Sequence, residues 1–269
     1  MNEPQQRFSQ LFVIIDPTTF VQTAYLRAES IARRNGARMT IYCCIDRGNE
    51  DDPHVGESER QRVVRNAIER LVDPALAERA EVLVESSDNW RRTMVDAAVR
   101  SNSDLIVKQA SRHSLVGRVF SATADWMLLR EAHQPVMLTA NRSPDDERRV
   151  LAAIKLKAED DHQQALNAKI VELSHYLSDA VGFEMHAATA WRGDDVFFDR
   201  QHFADFCGLP RNRVHAVEGA AHVAVAKAAE QVGADTIVIG NPEKSETAQR
   251  LIDHVHADLL VLPAVDLSP

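Results

Sequence analysis

The feature that most constrains the fold of this chain is a strand–loop–helix–strand pattern that occurs twice. The first copy spans Ser103–Thr139, where the short apolar runs Leu105–Val107 and Pro135–Leu138 flank a loop and a helical segment. A similar layout returns in Val232–Gly240 and Ala248–Pro263, about 131 and 123 residues further along. Apolar runs without polar alternation are typical of strands that are covered on both faces, as in parallel sheets. The sequence therefore predicts two copies of one α/β fold.

Strands and helices alternate ahead of each copy. In the first half, the strand Leu11–Ile15 ends at Asp16-Pro17 and leads into a helix, and the second half starts again at Val150 after a polar connector. This alternation predicts parallel sheets with right-handed crossovers. The residues expected to pack the helices onto the sheets are Phe20, Ala24, Ala28, Ile31, Ala32, Trp126, Leu129, Ala132, Ala165, Ile170, Leu173 and Leu177.

Composition excludes several classes of protein. The 269 residues carry a net charge of −9, whereas a nucleic-acid-binding domain normally shows a basic face. No apolar run approaches the roughly 20 residues of a membrane helix, and the polar N-terminus does not resemble a signal peptide. The expected location is therefore the cytoplasm. Three cysteines give no disulfide framework and are expected to be buried, reduced thiols.

The sequence resembles the universal stress protein family, in particular its tandem two-domain (E-type) members. The resemblance lies in the order of these segments, in the segment Thr123–Arg130 and in its later partners Leu251–His254 and Asp258–Val261. The resemblance implies two Rossmann-like (adenine nucleotide alpha hydrolase-like) α/β domains, 1–143 and 148–269. Each would be an open five-stranded parallel sheet of order 3-2-1-4-5. It also implies that the two domains pair through their last strands as a pseudo-dimer.

Nucleotide-binding members of this family carry Gly-x-x-Gly, nine residues, then Gly-Ser or Gly-Thr, because glycines let the main chain approach phosphate. At the matching positions the first half has Gln109-x-x-Arg112 and, after nine residues, Ala122-Thr123. The second half has Gly240-x-x-Glu243 and continues almost directly to Ser245-Glu246. The first loop therefore lacks all three glycines, and the second has lost its spacer, roughly eight residues.

The resemblance and the charges near the first loop indicate candidate ligand-binding residues in the first half only. In the second half Glu243 and Glu246 would repel a polyphosphate, and Lys155 stands where the family has an acidic residue. Two interpretations of Asp16 stay open, ligand contact and capping of the following turn. The basic cluster Lys108, Arg112, His113 and Arg118 is either an anion site or a solvated loop. The candidates are Asp16, Pro17, Lys108, Gln109, Arg112, His113 and Thr123.

No catalytic or metal site is predicted. Ser111 and Ser114 lie near His113 without a nucleophile-elbow sequence, and His254 and His256 are two residues apart rather than four. Four phenylalanines between two elements of the second half predict either a helix packed over the sheet or an apolar lid over a ligand cavity. These four residues are Phe197, Phe198, Phe203 and Phe206.

Three functional hypotheses follow. The leading one is a non-enzymatic stress-response protein that binds a small ligand or partner proteins, with a homodimer as one form of partnership. The second is an ATP-binding switch or weak ATPase that uses the first domain alone, which the missing glycines disfavour. The third is a carrier of an apolar molecule between the domains, closed by the phenylalanine segment. Nucleic acid and membrane are not expected partners.

Overall fold

The computed structural model describes residues 8–49, 56–111, 124–141, 149–157, 160–191, 199–241, 246–252 and 254–265. The chain divides into two compact units, and the described residues up to 141 belong to the first and those from 149 onwards to the second. Arg112, His113, Thr123, Phe197 and Phe198 lie outside the described residues. Predictions about these five therefore stay predictions.

The first unit alternates strands and helices as the sequence predicts. Its five strands are all parallel and lie in the order β3-β2-β1-β4-β5, which is the predicted order. Its elements are β1 (Gln10–Ile14), α1 (Thr23–Asn35), β2 (Arg38–Asp46), α2 (Glu57–Glu69), β3 (Ala80–Ser87), α3 (Trp90–Arg100), β4 (Leu105–Gln109), α4 (Ala124–Glu131) and β5 (Val136–Thr139).

The second unit repeats this arrangement with the strand order β8-β7-β6-β9-β10, again parallel throughout. The sequence patterns mark neither β8 nor α7 as separate elements, because both are short or rich in alanine. Its elements are β6 (Arg149–Ala153), α5 (Asp161–Val181), β7 (Glu184–Trp191), α6 (Arg200–Cys207), β8 (Val214–Glu218), α7 (Ala221–Val232), β9 (Thr236–Asn241), α8 (Glu246–Ile252) and β10 (Asp258–Pro263).

Helices cover both faces of the first sheet. Thr139 on β5 contacts α1 through Thr23, whereas Lys108 on the neighbouring strand contacts α4 through Asp125. Register pairs Lys108 with Leu138, so Lys108 and Thr139 point to opposite faces. The carboxyl ends of β1 and β4, where ligands bind in open α/β sheets, therefore have α1 on one face and α4 on the other.

Short-range sequence signals set several helix ends. Asn89 accepts a hydrogen bond from the backbone N–H of Arg92 and caps α3, as its position before the helix predicts. Asp160 caps α5 by accepting from the N–H of Gln163. At the other end of α5, Gly182 takes the left-handed conformation with φ of 69°, which glycine adopts without strain.

Five predicted packing residues are not buried, and two of them, Ile31 and Ala132, are half-buried. Phe20 is fully exposed, because α1 begins only at Thr23. Trp126 is half-buried beneath the guanidinium of Arg130, and the buried face of α4 includes Asp125 instead. Ala165 is half-buried, while its neighbour Leu166 enters the core.

Candidate functional site

The first strand of the first unit ends in a turn that is braced by its own side chains. The carboxylate of Asp16 accepts hydrogen bonds from the N–H and the hydroxyl of Thr18, at 2.9 and 2.6 Å. The side-chain amide of Gln22 donates to the carbonyl oxygens of Asp16 and Thr19, both at 2.7 Å. Asp16 thus caps the turn that follows it, which is one of its two predicted roles. Asp16 and Pro17 remain exposed beside this turn.

A buried ion pair lies at the end of β4, where the phosphate loop of the family begins. The ammonium nitrogen of Lys108 is 2.6 Å from Oδ1 of Asp125, and these side chains are 11% and 2% exposed. The ammonium also donates to the carbonyl of Gln109 at 2.9 Å and to the hydroxyl of Ser111 at 3.1 Å. Asp125 therefore neutralises the charge that the sequence offers to an anionic ligand. The sequence pattern does not mark Asp125, because only the fold brings its carboxylate to Lys108.

Both oxygens of this carboxylate are held. Oδ2 of Asp125 accepts a hydrogen bond from the main-chain N–H of Ser111 at 2.7 Å, while Oδ1 faces Lys108. Asp125 also lies in the first turn of α4, where a negative charge is stabilised by the helix dipole. The carboxylate thus accepts from an ammonium and from a loop N–H, which are donors that proteins also use for oxyanions.

A polar patch lies on the opposite face of the same strand ends. The hydroxyls of Thr23 and Thr139 are 2.8 Å apart and fully buried. Gln109 is paired with Thr139 in the sheet register, and its Oε1 atom is buried with no hydrogen-bond partner among the described residues. A buried acceptor of this kind can take a hydrogen bond from a water or a ligand. Among the described candidates, Gln109 thus has an acceptor to which no described residue donates.

In the second unit, the one glycine kept from the motif contacts a helix. A Cβ atom built on Gly240 would lie 2.5 Å from Cδ2 and 2.7 Å from Cγ of Leu166, which is 1% exposed on α5. Contacts this short do not occur between real side chains. Close packing of α5 on β9 therefore requires a glycine at position 240, whether or not a phosphate ever binds there.

Hydrogen bonds also fix the main chain at Lys155. This residue follows Ile154 at the end of the first strand of the second unit. The side-chain amide of Asn167 donates to the carbonyl oxygen of Lys155 at 2.8 Å and accepts from Gln163 at 3.0 Å. Asn167 and Gln163 are 3% and 8% exposed. These buried amides hold the strand end against α5.

Two of the predicted lid phenylalanines are described. Phe203 is fully buried on α6 in the second unit, as the packed-helix alternative expects, and Phe206 is 43% exposed. Although Phe203 and Phe206 are three residues apart on the same helix, only the ring of Phe203 is buried. The apolar lid stays a prediction.

Two histidines form a cluster that the sequence analysis missed. Nδ1 of His186 on β7 is 3.1 Å from Nε2 of His215 on β8, and their rings stack with centroids 5.3 Å apart. Burial lowers the pKa of both imidazoles, and Arg213 and Arg200 nearby act in the same direction on His186 and His215 respectively. Glu184 partly opposes this for His186.

The three cysteines are free thiols; Cys43 and Cys207 are buried as predicted, whereas Cys44 is half-buried. Burial raises the pKa of Cys43 and of Cys207 to about 12. It also raises the pKa of the half-buried Cys44. Within the described part of the chain, no three His, Cys, Asp or Glu side chains form a group that could hold a metal ion. The helices described there are also too short or too polar to cross a membrane.

The fold and these strand ends define a class: tandem Rossmann-like α/β domains with altered phosphate loops. Residues 8–140 match the model of the universal stress protein family. Universal stress protein E of Photorhabdus laumondii is 24% identical, and the alignment covers 95% of this chain and 95% of that protein. Universal stress protein E of Escherichia coli K12 is also 24% identical, over 95% of this chain and 94% of that protein.

Solved structures agree on the fold. A protein of unknown function from Pseudomonas aeruginosa PAO1 has a TM-score of 0.76 at 20% identity, with 96% of this chain and 94% of that chain covered. A universal stress protein from Archaeoglobus fulgidus has a TM-score of 0.71 at 16% identity, with 98% of each chain covered. The chain belongs to the universal stress protein family, as a tandem member similar to universal stress protein E.

Proposed function

We propose that this chain is a cytoplasmic stress-response protein that acts without catalysis, by binding a small ligand or a partner protein. One observation carries the proposal: the buried cation at the start of the first phosphate loop, Lys108, is already paired with Asp125 at 2.6 Å. An ammonium engaged in this way cannot neutralise a polyphosphate without first leaving its carboxylate, and an unpaired buried carboxylate is strongly unfavourable.

The second unit supports the same interpretation. The second unit keeps one motif glycine, Gly240. Its close contact with Leu166 explains why a glycine is needed there without a bound phosphate. The first unit offers Gln109 Oε1 and the exposed side chain of Asp16 as polar groups at the strand ends. Both are acceptors, which suit a ligand with hydroxyl or amine donors better than a phosphate.

Calorimetric titration of the full chain with ATP tests this proposal. We expect no saturable heat at ATP concentrations up to the millimolar range. Micromolar binding that is lost in R112A or T123A would instead establish the nucleotide switch. Mass spectrometry of the molecules released from the purified, denatured protein tests for a co-purifying ligand. An apolar compound in that extract would favour the carrier hypothesis.

A further inference from the structure

We propose that the carboxylate of Asp125 occupies an oxyanion seat in the first unit. The protein closes this seat with its own side chain, and the seat accepts a small oxyanion when the carboxylate is removed. The proposal deepens the proposed function and rests on it, because it explains why a cradle that retains its donors does not hold phosphate. It concerns residues of the first unit alone.

The donors around Asp125 support an anion seat rather than a simple ion pair. An isolated pair would need only the ammonium of Lys108. Here the N–H of Ser111 also donates to the second carboxylate oxygen at 2.7 Å, so that both oxygens are bound. A carboxylate and a phosphate present similar oxygen pairs to such donors. The donors come from β4 and its loop, and only the anion comes from α4.

The second unit provides a natural comparison without the seat. The sheet register matches Ile106 with Ile237 and Val136 with Leu259, so Lys108 corresponds to Ile239. The buried positions of α4 are Ala124, Asp125, Leu128 and Leu129, and those of α8 are Ala248, Leu251 and Ile252; the last three of α4 have the same spacing as the three of α8.

This match assigns Ala248 as the counterpart of Asp125. Both members of the pair are therefore apolar in the second unit, where Ile239 is 6% and Ala248 is 1% exposed. The fold is built without either charge in that copy. Packing alone therefore does not account for the cation and carboxylate that the first unit has at these positions.

Anion rescue of the full-length D125A variant tests the proposal. The substitution removes the carboxylate and leaves Lys108 and the Ser111 N–H facing an empty seat. Thermal unfolding is measured in sodium formate and in sodium phosphate, each against sodium chloride at equal ionic strength. We expect a saturable rise in the unfolding midpoint of about 5 °C with formate, or with both anions, over chloride.

Two matched variants make the result specific. K108I/D125A copies the apolar pair of the second unit, so it should fold and should gain nothing from either anion. D125N keeps the seat filled with a neutral amide, so it should be less stable than wild type and equally unresponsive. If D125A is unfolded in chloride, folding in formate supports the seat and its absence overturns it.

The outcomes separate this proposal from the proposed function. If D125A responds no more to formate or phosphate than K108I/D125A does, Asp125 is only a structural partner of Lys108 and the seat does not exist. If the wild-type chain itself binds ATP with micromolar affinity, the proposed function fails whatever D125A does. Rescue of D125A by formate but not by phosphate supports a seat of carboxylate size, and rescue by both supports one that also admits phosphate.

Discussion

Leu166 on α5 lies over Gly240 on β9 so closely that a single added methyl group at position 240 would lie 2.5 Å from its Cδ2 atom. In a family whose phosphate loops are rich in glycine, this residue would ordinarily be assigned to ligand binding. Its surroundings assign it to the contact between helix and sheet. Stability and ligand affinity therefore respond differently to substitution here.

We predict that G240A destabilises the protein by about 1–3 kcal/mol, because an overpacked core shifts side chains and backbone. Urea unfolding measures the change. The double variant G240A/L166A should be no less stable than L166A alone, since the methyl group then has space. Gly56, where an added Cβ meets nothing within 4 Å, gives the control G56A, which should cost less than G240A because it loses only the preference for glycine at the N-cap of α2. Equal losses in G240A and G56A would contradict the prediction.

Arginines cover the same position on the edge strand of each unit. Arg65 on α2 donates to the carbonyl oxygen of Val82 at 2.6 Å, and Arg200 on α6 donates to that of Val214 at 3.0 Å. The registers place these two valines in corresponding rows. Each arginine thus occupies a main-chain acceptor on β3 or β8 that could otherwise pair with another strand.

We predict that R65A increases self-association and lowers stability by about 1 kcal/mol, since one hydrogen bond is lost and a strand edge is opened. Light scattering during incubation near the unfolding midpoint measures the first effect. The matched control is R62A on the same helix, because Arg62 pairs with Glu59 of that helix. Aggregation of R65A at the rate of R62A would show that Arg65 does not protect the edge.

Much of the fold could be predicted because short apolar runs that occur in both halves of the sequence indicate buried strands. The errors arise where a side chain decides a local conformation. Helical spacing includes Phe20, yet the hydrogen bonds of Asp16 and Gln22 hold a turn there and delay the helix. Burial of Asp125 could not be predicted from its own helix, since a buried carboxylate depends on its partner Lys108.

The second unit shows the same limit. His186 and His215 are 29 residues apart, and only the pairing of β7 with β8 brings their rings together. The glycine at position 240 could be identified as a remnant of the motif, but its contact with Leu166 depends on how α5 lies over the sheet. The resemblance to the family implies the strand order, whereas the contacts between sheet faces and helices depend on packing.

The thiols provide a test of the described core. Cys43 and Cys207 are buried with pKa values raised to about 12, so neither should form a thiolate at pH 8. We predict that at most one thiol, the half-buried Cys44, reacts with Ellman's reagent in the folded protein, and that all three react in urea. C44S should remove the reaction of the folded protein. A rapid reaction of two thiols without denaturant would disagree with this core.

Stability should fall as the pH drops below about 6.5, because the folded-state pKa values of His186 and His215 lie below those of the unfolded chain. Above that pH both states leave these imidazoles neutral, and their contribution to stability is fully present. Below that pH these imidazoles bind protons in the unfolded chain more readily than in the folded chain, so the free energy of unfolding decreases. Urea unfolding between pH 5.5 and 8 measures this dependence.

Burial is the main reason why the pair resists protonation, and the arginines around it act in the same direction. Arg213 donates to Glu184 at 3.0 Å, and Arg149 lies 3.6 Å from the same carboxylate, so the Glu184 carboxylate, which favours protonation of His186, is itself paired with arginines. Arg200 adds positive charge on the side of His215. H186Q and H215Q should each flatten the pH profile, whereas the exposed His202 gives the control H202Q, which should retain it. An unchanged profile in H186Q would mean that other groups cause the loss at low pH.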